Sequence, residues 1–392
     1  MLVSSPDLAQ RLAYRRAPLA ARVIAYVVYA LVPIWVARDA ASDEDNLIVV
    51  RAARNLVHGI APYADKRFVY PPSSIAFAVV LAPFSDKTVQ NVVPFGLAAM
   101  MIVGWWAVLR LFEVPWRSWL ATVPIALAPL FAPFFNAIVL GSWTVPVAML
   151  ACVALLLMGR DRWALAGVAI GLSIAVKPML IPLGLIFLLA RRWGGFAFAA
   201  GIPVLMSAAT LLVVADPKLF FTKTVPFLVG GQDSYSQPYD LSLGTMLPRL
   251  GIHGPVVAAA RLLVAVAAVV VAVWRWRQES RGQAPRLVET SSILMLGTFL
   301  VSSPGFDHYI LLVLPGLLAG AATLGSPART VWFWTALLPQ TGAVRVQELD
   351  ELHRRVYKDF FMVLVLFAGL VVHTVRRRRR TVPDLTVAAQ PA

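Results

Sequence analysis

Residues 42–72 read SDEDNLIVVRAARNLVHGIAPYADKRFVYPP, and the rest of the chain is organised around this mixture of carboxylates, cations and aromatics between long apolar runs. Residues three or four positions apart predict a helix that lies on a surface: Leu47, Val50, Arg54 and Val57. Gly59 ends this helix and Pro62 prevents its continuation. Charge concentrated between membrane-spanning segments indicates a solvated loop or a functional site, and this mixture of residue types favours a site.

The composition indicates an integral membrane protein. Of the 392 residues, 59% are hydrophobic and only 14% are charged, and the mean hydropathy is +0.74. A soluble protein of this size needs far more polar surface, so we predict an all-α polytopic bundle that forms a single domain over residues 1–375. The first apolar run is predicted to be a retained signal anchor. Residues 376–392 are predicted to form a basic, disordered cytoplasmic tail.

The net charge of +15 comes from arginines at the edges of the apolar runs. These arginines form clusters within residues 11–22, 160–162, 191–192, 275–281 and 376–380. This is the positive-inside pattern of membrane proteins, so the charge indicates contact with the bilayer and not with nucleic acid. The single cysteine, Cys152, lies in an apolar run, which excludes an intrachain disulfide and argues against thiol chemistry.

Counting the apolar segments gives a prediction of the topology. There are about thirteen candidates, and the arginine clusters place both termini in the cytoplasm, which requires an even number of crossings. We therefore predict about twelve transmembrane helices (11–13), with residues 72–85 as the first candidate for a helix that crosses only partly. The orientation places the polar stretches 38–71, 216–254 and 302–308 outside, with short surface helices, and puts Lys177 at the outer tip of a helical hairpin.

Asp45 is the leading catalytic candidate. A carboxylate at the outer membrane surface can act as a general base on a hydroxyl. The pattern Ser42-x-x-Asp45 also fits a capping box, in which Asp45 only caps the start of a helix. Asp43 and Glu44 beside it could gather a divalent ion. Cations elsewhere in the chain can neutralise a phosphate, however, so we expect no essential metal and no cofactor.

Three further groups of polar residues are candidates for a functional site. The ammonium of Lys177, in a long apolar run, either binds a phosphate or snorkels to the outer headgroups. His308 either acts on a phosphate or a proton, with Asp307 orienting it, or caps a helix. Tyr239 and Asp240, in the longest outer loop, either contact a polar acceptor or have no special role. The chain contains no Walker A or Rossmann glycine pattern, so a nucleotide-driven reaction has no support.

Several motifs occur in a recognisable order. An outer aspartate is followed by an arginine, then by Gly-x-x-x-Tyr and Tyr-Pro-Pro: Asp45, Arg51, Gly59, Tyr63 and Tyr70-Pro71-Pro72. Two longer blocks follow, GVAIGLSIAVKPMLIPLGLIFLLARRW and ADPKLFFTKTVPFLVGG. Together these motifs resemble the polyprenyl-phosphate-dependent GT-C membrane glycosyltransferases of glycosyltransferase family eighty-seven, from Asp43 to about Arg376.

The resemblance implies a reaction and a location. Arabinofuranose would pass from decaprenyl-phosphate arabinofuranose to an arabinan chain of arabinogalactan or lipoarabinomannan, with α-(1→3) branching and inversion. Asp45 would be the base, and three cationic residues would bind the donor phosphate: Lys177, His308 and Arg51. Five residues would form the sugar and acceptor pocket: Tyr63, Tyr70, Tyr239, Asp240 and Tyr309. The protein would lie in the cytoplasmic (inner) membrane with its active site on the periplasmic side.

Three other functions remain open at this stage. The first is a mannosyltransferase that uses polyprenyl-phosphate mannose, and the second is a flippase for lipid-linked sugars. A flippase favours pseudo-symmetric halves and broken helices at the midplane, whereas this sequence shows no half-to-half repeat and its polar residues gather at one face. The third is a membrane scaffold without catalytic activity. The sequence does not determine the oligomeric state.

Overall fold

The computed structural model describes residues 8–38, 44–230, 237–278, 282–341 and 351–380. Over these residues the protein is all helical and has no β-strand, which confirms the all-α part of the predicted fold class. The α-helices, numbered α1 to α18 in chain order, are Leu8–Tyr14, Leu19–Val36, Glu44–Val57, Pro72–Ala78, Asp86–Leu111, Trp119–Leu127, Ala132–Val139, Thr144–Gly159, Trp163–Val176, Gly184–Leu189, Trp193–Leu211, Val225–Gly230, Leu243–Arg249, Pro255–Arg277, Gln283–Val301, Leu314–Ala319, Val331–Leu337 and Glu351–Arg380.

Helices long and apolar enough to cross a membrane are fewer than predicted. The described residues contain six: Leu19–Val36, Asp86–Leu111, Trp193–Leu211, Pro255–Arg277, Gln283–Val301 and Arg355–Arg376. A seventh is possible if Trp119–Leu130 and Ala132–Val139, which meet at 65°, count as one broken span. The predicted twelve crossings are therefore not confirmed. Four other apolar helices are shorter than a full crossing: Pro72–Leu81, Thr144–Gly159, Trp163–Val176 and Pro178–Leu189.

Prolines account for one of these breaks. Pro178 and Pro182 lie in a 3-10 segment, Pro178–Leu183, that separates α9 from α10. A proline lacks the backbone N–H and disfavours the helical conformation in the residue before it. Accordingly α9 ends at Val176, and Lys177 is extended with φ −153° and ψ 123°.

Residues 72–85 were predicted to cross the membrane only partly, and residues 376–392 to form a disordered tail. Within residues 72–85, α4 continues as a 3-10 turn to Leu81. At about 1.5 Å per residue, Pro72–Leu81 covers roughly half of a hydrocarbon core of about 30 Å.

The basic run that begins the predicted disordered tail belongs to α18, which continues to Arg380. Residues 381–392 lie outside the described part of the chain.

Helices α9 and α11 touch through glycines. A Cβ added to Gly167 would lie 2.1 Å from the carbonyl oxygen of Gly195, and one added to Gly195 would lie 2.6 Å from the carbonyl oxygen of Trp163. Both contacts are with backbone, which cannot move aside as a flexible side chain can. Close approach of this kind is how small residues join membrane helices. The contact therefore fixes α9, and with it the position of Lys177 at the end of that helix.

A buried carboxylate joins two segments that are distant in sequence. Asp240 is fully buried, and its carboxylate accepts hydrogen bonds from the backbone N–H groups of Ser242 (2.9 Å) and Gly305 (2.7 Å). It also accepts from three hydroxyls, those of Ser242 (3.0 Å), Thr245 (2.6 Å) and Ser303 (2.5 Å). This arrangement ties the start of α13 to the turn that follows α15, so the turn has a fixed position.

Gly167→Ala tests the contact between α9 and α11. The added methyl group forces the two backbones apart, and we expect the substitution to cost about 1–3 kcal/mol of stability, visible as a lower unfolding temperature in detergent. Gly201→Ala in α11 is the matched control, since a Cβ there meets nothing within 4 Å and alanine favours the helix. Equal unfolding temperatures for the two variants would show that the glycine contact does not stabilise the bundle.

Asp240→Ala tests the buried carboxylate. Two backbone N–H groups lose their acceptor, and each buried unsatisfied group costs about 1–3 kcal/mol, so we expect a marked fall in the unfolding temperature. Asp240→Asn should fall between this variant and the wild type, because its carbonyl oxygen still accepts from both N–H groups. The control is Asp216→Asn at an exposed position with φ +49°, a conformation that asparagine tolerates. If Asp240→Ala unfolds at the wild-type temperature, Asp240 does not secure the turn.

Candidate active site

One cavity of about 500 Å³ brings together residues from six parts of the chain. These are the start of α3, the loop before α4, the break after α9, helix α12, the end of α15 with the turn after it, and the 3-10 segment Asp307–Leu312. Its polar lining consists of Asp45, Lys66, Arg67, Tyr70, Lys177, Thr298, Ser302, Ser303 and Tyr309. Its apolar lining includes Met179, Ile181, Phe227 and Leu228, and we call these four residues the apolar wall. The cavity is therefore lined by both charged and apolar side chains.

Asp45 lies in the first turn of α3 and is half-buried in the cavity wall. Its backbone N–H donates to the carbonyl oxygen of Leu140 at 3.0 Å, which anchors the start of α3 to the end of α7. A helix N-terminus favours a negative charge. The cavity brings this carboxylate together with the Lys177 ammonium and the phenols of Tyr70 and Tyr309.

Lys177 projects from the break after α9 between two aromatic rings. Its Nζ lies 4.8 Å from the ring centroid of Tyr309 and 5.6 Å from that of Tyr70, both within cation–π range. The same nitrogen donates a hydrogen bond to Thr144 Oγ1 at 3.1 Å. The rings and the hydroxyl stabilise the ammonium and leave one side of it facing the cavity.

Two cations of the cavity were missed in the sequence. Lys66 and Arg67 are exposed residues of the lining. Arg67 also pairs with Asp65, with Nε and Oδ1 3.4 Å apart. Partial burial raises the pKa of Asp65, but the hydrogen bonds and the charge of Arg67 lower it more, so the pKa lies below its ordinary value and the pair persists at neutral pH. The signal for these cations was the Lys-Arg dipeptide between Tyr63 and Tyr70.

His308 lies behind the cavity wall and is not part of the lining. Its Nε2 is 3.2 Å from Ser142 Oγ, and its Nδ1 is 3.3 Å from Asp307 Oδ1. Asp307 in turn accepts from the side-chain amide of Asn136 at 2.5 Å. The imidazole therefore has a protein partner at each ring nitrogen, whereas the sequence prediction assigned it to the donor phosphate.

Four other predicted site residues also lie outside the cavity lining: Arg51, Tyr63, Tyr239 and Asp240. Arg51 is exposed and lies 3.7 Å from Asp86 in an ion pair between α3 and α5. Tyr63 is buried, and its hydroxyl donates to the carbonyl oxygen of Tyr70 at 3.3 Å, so it supports a lining residue from behind. The ring of Tyr239 faces the guanidinium of Arg355 at 5.6 Å. Asp240, described above, is occupied by its five hydrogen bonds.

The arrangement suits acid–base chemistry on a charged, partly apolar substrate. A carboxylate and several cations share one cavity with an apolar wall, so a hydroxyl and an anionic group can be bound side by side. Among the described residues, no group of three or more histidine, cysteine, aspartate or glutamate side chains could hold a metal ion. Asp43, one member of the acidic run in the sequence, lies outside the described part of the chain.

Comparison with known proteins gives relatives of two kinds. The chain is 27% identical to an alpha-(1->3)-arabinofuranosyltransferase of Mycobacterium tuberculosis over 291 residues, which cover 70% of this chain and 63% of the relative. It is 25% identical to a Corynebacterium glutamicum protein of the same name over 376 residues, covering 91% of this chain and 85% of the relative. It is also 29% identical to a polyprenol-phosphate-mannose-dependent alpha-(1-2)-phosphatidylinositol pentamannoside mannosyltransferase of Mycolicibacterium smegmatis, over 50% of this chain and 51% of the relative.

These matches define the family and leave the substrate open. The chain covers less than two thirds of the length of its Mycobacterium tuberculosis relatives. No solved structure matches it. The model of glycosyltransferase family 87 matches residues 68–304, which is more than half of the chain and includes most of the cavity lining. The chain is a multi-pass membrane protein that belongs to glycosyltransferase family 87.

Proposed function

We propose that this protein transfers arabinofuranose from decaprenyl-phosphate arabinofuranose to an arabinan chain of arabinogalactan or lipoarabinomannan, as an α-(1→3) branch and with inversion. The observation that carries the proposal is that the carboxylate of Asp45 and the ammonium of Lys177 line one cavity. The names of the arabinofuranosyltransferase relatives support the choice of sugar and linkage.

The reaction is a single displacement. Asp45 takes the proton of the acceptor hydroxyl while that oxygen bonds to the anomeric carbon of the donor sugar. The bond between the anomeric carbon and the phosphate oxygen breaks, and the lipid phosphate leaves with the electron pair. Lys177 stabilises the negative charge that develops on the phosphate, and Lys66 and Arg67 add positive charge at the same cavity. Attack on the face opposite the leaving group inverts the anomeric configuration.

The apolar wall suits the lipid part of the donor. Ile181 and Leu228 line the cavity and are 59% and 46% exposed, so apolar surface continues from the cavity to the outside of the bundle. In a membrane protein such surface contacts hydrocarbon. The first isoprenoid units can lie along this wall while the phosphate reaches Lys177.

The site lies on the periplasmic side of the inner membrane in this proposal. Helix α8 runs from Thr144, beside Lys177, to Gly159, next to Arg160, and α9 returns from Trp163 to the site. The arginines therefore lie at the end of these helices opposite to the cavity. Because arginines mark the cytoplasmic side, the cavity faces the periplasm.

A mannosyltransferase is the second candidate. The relative that uses polyprenol-phosphate mannose is 29% identical over half of this chain, as similar per residue as the arabinofuranosyltransferases. The same Asp45 and Lys177 roles serve either sugar. Parallel assays with the two lipid-linked donors and matching acceptors distinguish the candidates.

Asp45→Asn tests the base. We expect the rate of transfer to fall about 100-fold or more while the unfolding temperature is retained, because the amide cannot accept the proton. Purified protein in nanodiscs is assayed with each lipid-linked donor and a synthetic acceptor. Glu44→Gln is the control, since Glu44 lies in the same helical turn but is exposed and outside the cavity lining. Activity of Asp45→Asn within a few-fold of wild type would reduce Asp45 to a helix cap.

Lys177→Ala tests the phosphate site. A hydrogen bond to a charged group contributes about 1.5–3 kcal/mol, so the KM for the donor should rise and kcat should fall, together by about ten- to a hundredfold in kcat/KM, while the KM for the acceptor changes little. Lys87→Ala, at an exposed position outside the cavity lining, is the control. Normal binding of a donor analogue together with a loss of acceptor affinity would show that Lys177 belongs to the acceptor pocket.

A further inference from the structure

We propose that residues 140–144 are a positioning element that sets the separation between the base and the phosphate-binding cation. The proposal rests on the proposed function, which gives Asp45 and Lys177 these tasks. The segment connects α7 to the start of α8, and its members do not line the cavity. They hold the two functional residues from behind, through bonds to α3 on one side and to Lys177 on the other.

The bonds to α3 come from Leu140 and Trp143. The carbonyl oxygen of Leu140 accepts the backbone N–H of Asp45 at 3.0 Å, and the indole Nε1 of Trp143 donates to the side-chain oxygen of Asn46 at 2.9 Å. Two successive residues of α3 are therefore fixed by this one segment. Because Asp45 lies in the first turn, where helices fray, these bonds determine where its carboxylate is held.

The bonds to Lys177 come through a chain of buried hydroxyls. Lys177 Nζ donates to Thr144 Oγ1 at 3.1 Å, Thr144 Oγ1 lies 3.2 Å from Ser142 Oγ, and Ser142 Oγ lies 3.2 Å from His308 Nε2. Both hydroxyl residues are fully buried, and His308 is 2% exposed. A lysine has a flexible stem, so a fixed acceptor is what gives its ammonium a defined position.

Asp307 is the last residue in this series of hydrogen bonds. Its carboxylate lies beside His308 Nδ1 and accepts from Asn136, and the Arg355 guanidinium is 3.9 Å away. This series of hydrogen bonds therefore begins at the Lys177 ammonium, which can only donate. It passes through buried side chains and ends at the Asp307 carboxylate, which accepts from Asn136. This assigns His308 an indirect role: it orients Ser142 and Thr144, and through them Lys177.

Thr144→Val and Thr144→Ser test the hydroxyl. Valine keeps the shape and removes the acceptor, so the KM for the donor should rise and kcat should fall, together by about tenfold or more in kcat/KM. Serine restores the hydroxyl and should bring kcat/KM back to within about threefold. Thr335→Val is the control, since the Thr335 hydroxyl is exposed and donates only to the carbonyl of Val331 in its own helix. Failure of serine to rescue the activity would overturn the proposal.

A second measurement does not depend on transfer activity. The nanodisc protein is treated with N-hydroxysuccinimidyl acetate without substrate, and acetylation of Lys177 is followed by mass spectrometry with exposed Lys87 as the internal reference. Loss of the Thr144 acceptor frees the amine, so Thr144→Val should label several-fold faster than wild type and Thr144→Ser at the wild-type rate. Equal rates for all three proteins would overturn the proposal.

If the wild type transfers neither sugar, the proposed function fails while the labelling still tests the positioning of Lys177.

Trp143→Phe separates the two halves of the element. It removes the N–H that binds Asn46 together with part of the aromatic ring and leaves the Thr144 hydroxyl in place, so kcat should fall several-fold while the labelling rate of Lys177 and the KM for the donor stay at wild-type values. This variant also supplies the test if Thr144→Val does not fold. A wild-type kcat for Trp143→Phe would remove the link to α3 from the proposal.

Discussion

The need to pair every backbone polar group inside a membrane controls how this protein builds its site. A helix that stops within the bundle leaves N–H or C=O groups that require protein partners, because lipid offers none. Here α3 and α8 begin, and α9 and α15 end, around one cavity. The bonds that satisfy these ends, such as the one from Asp45 N–H to Leu140, also locate the functional side chains.

The carboxylate of Asp45 and the ammonium of Lys177 share one cavity, and the neutral side chains around Lys177 hold it without a direct ion pair. An ammonium and a carboxylate that share a partly buried cavity attract each other, and a direct ion pair would occupy both. Lys177 is instead held by the rings of Tyr70 and Tyr309 and by the Thr144 hydroxyl. These neutral partners stabilise the cation without neutralising it, so its charge stays available to the phosphate of the proposed donor.

The sequence predicted the parts of the site that local pattern determines. Asp45, Tyr70, Lys177 and Tyr309 were singled out from their local sequence, and all four line one cavity. Burial depends on packing between distant segments, so the sequence did not show that His308 and Asp240 lie behind the wall. Arg51, which was predicted from its place in a motif, lies outside the cavity lining and pairs with Asp86.

The number of crossings was the least predictable feature. Hydropathy measures how apolar a run is, whereas a crossing also requires an unbroken helix of sufficient length. The run around Lys177 is apolar throughout, yet Pro178 divides it into two short helices. Lys66 and Arg67 were missed for the opposite reason, since cations in a polar loop look like ordinary solvated residues until the fold turns them towards a cavity.

The glycine contact between α9 and α11 also determines how a bulky lipid can reach the cavity. At Gly167 and Gly195 the two helices meet backbone to backbone, so no side chain at this point can rotate to make a gap between them. A lipid that moves between the membrane and the cavity must then pass where mobile side chains form the boundary. Ile181 and Leu228 form such a boundary, and exchange of spent lipid for fresh donor would be timed by the motion of those side chains and not by separation of the helices.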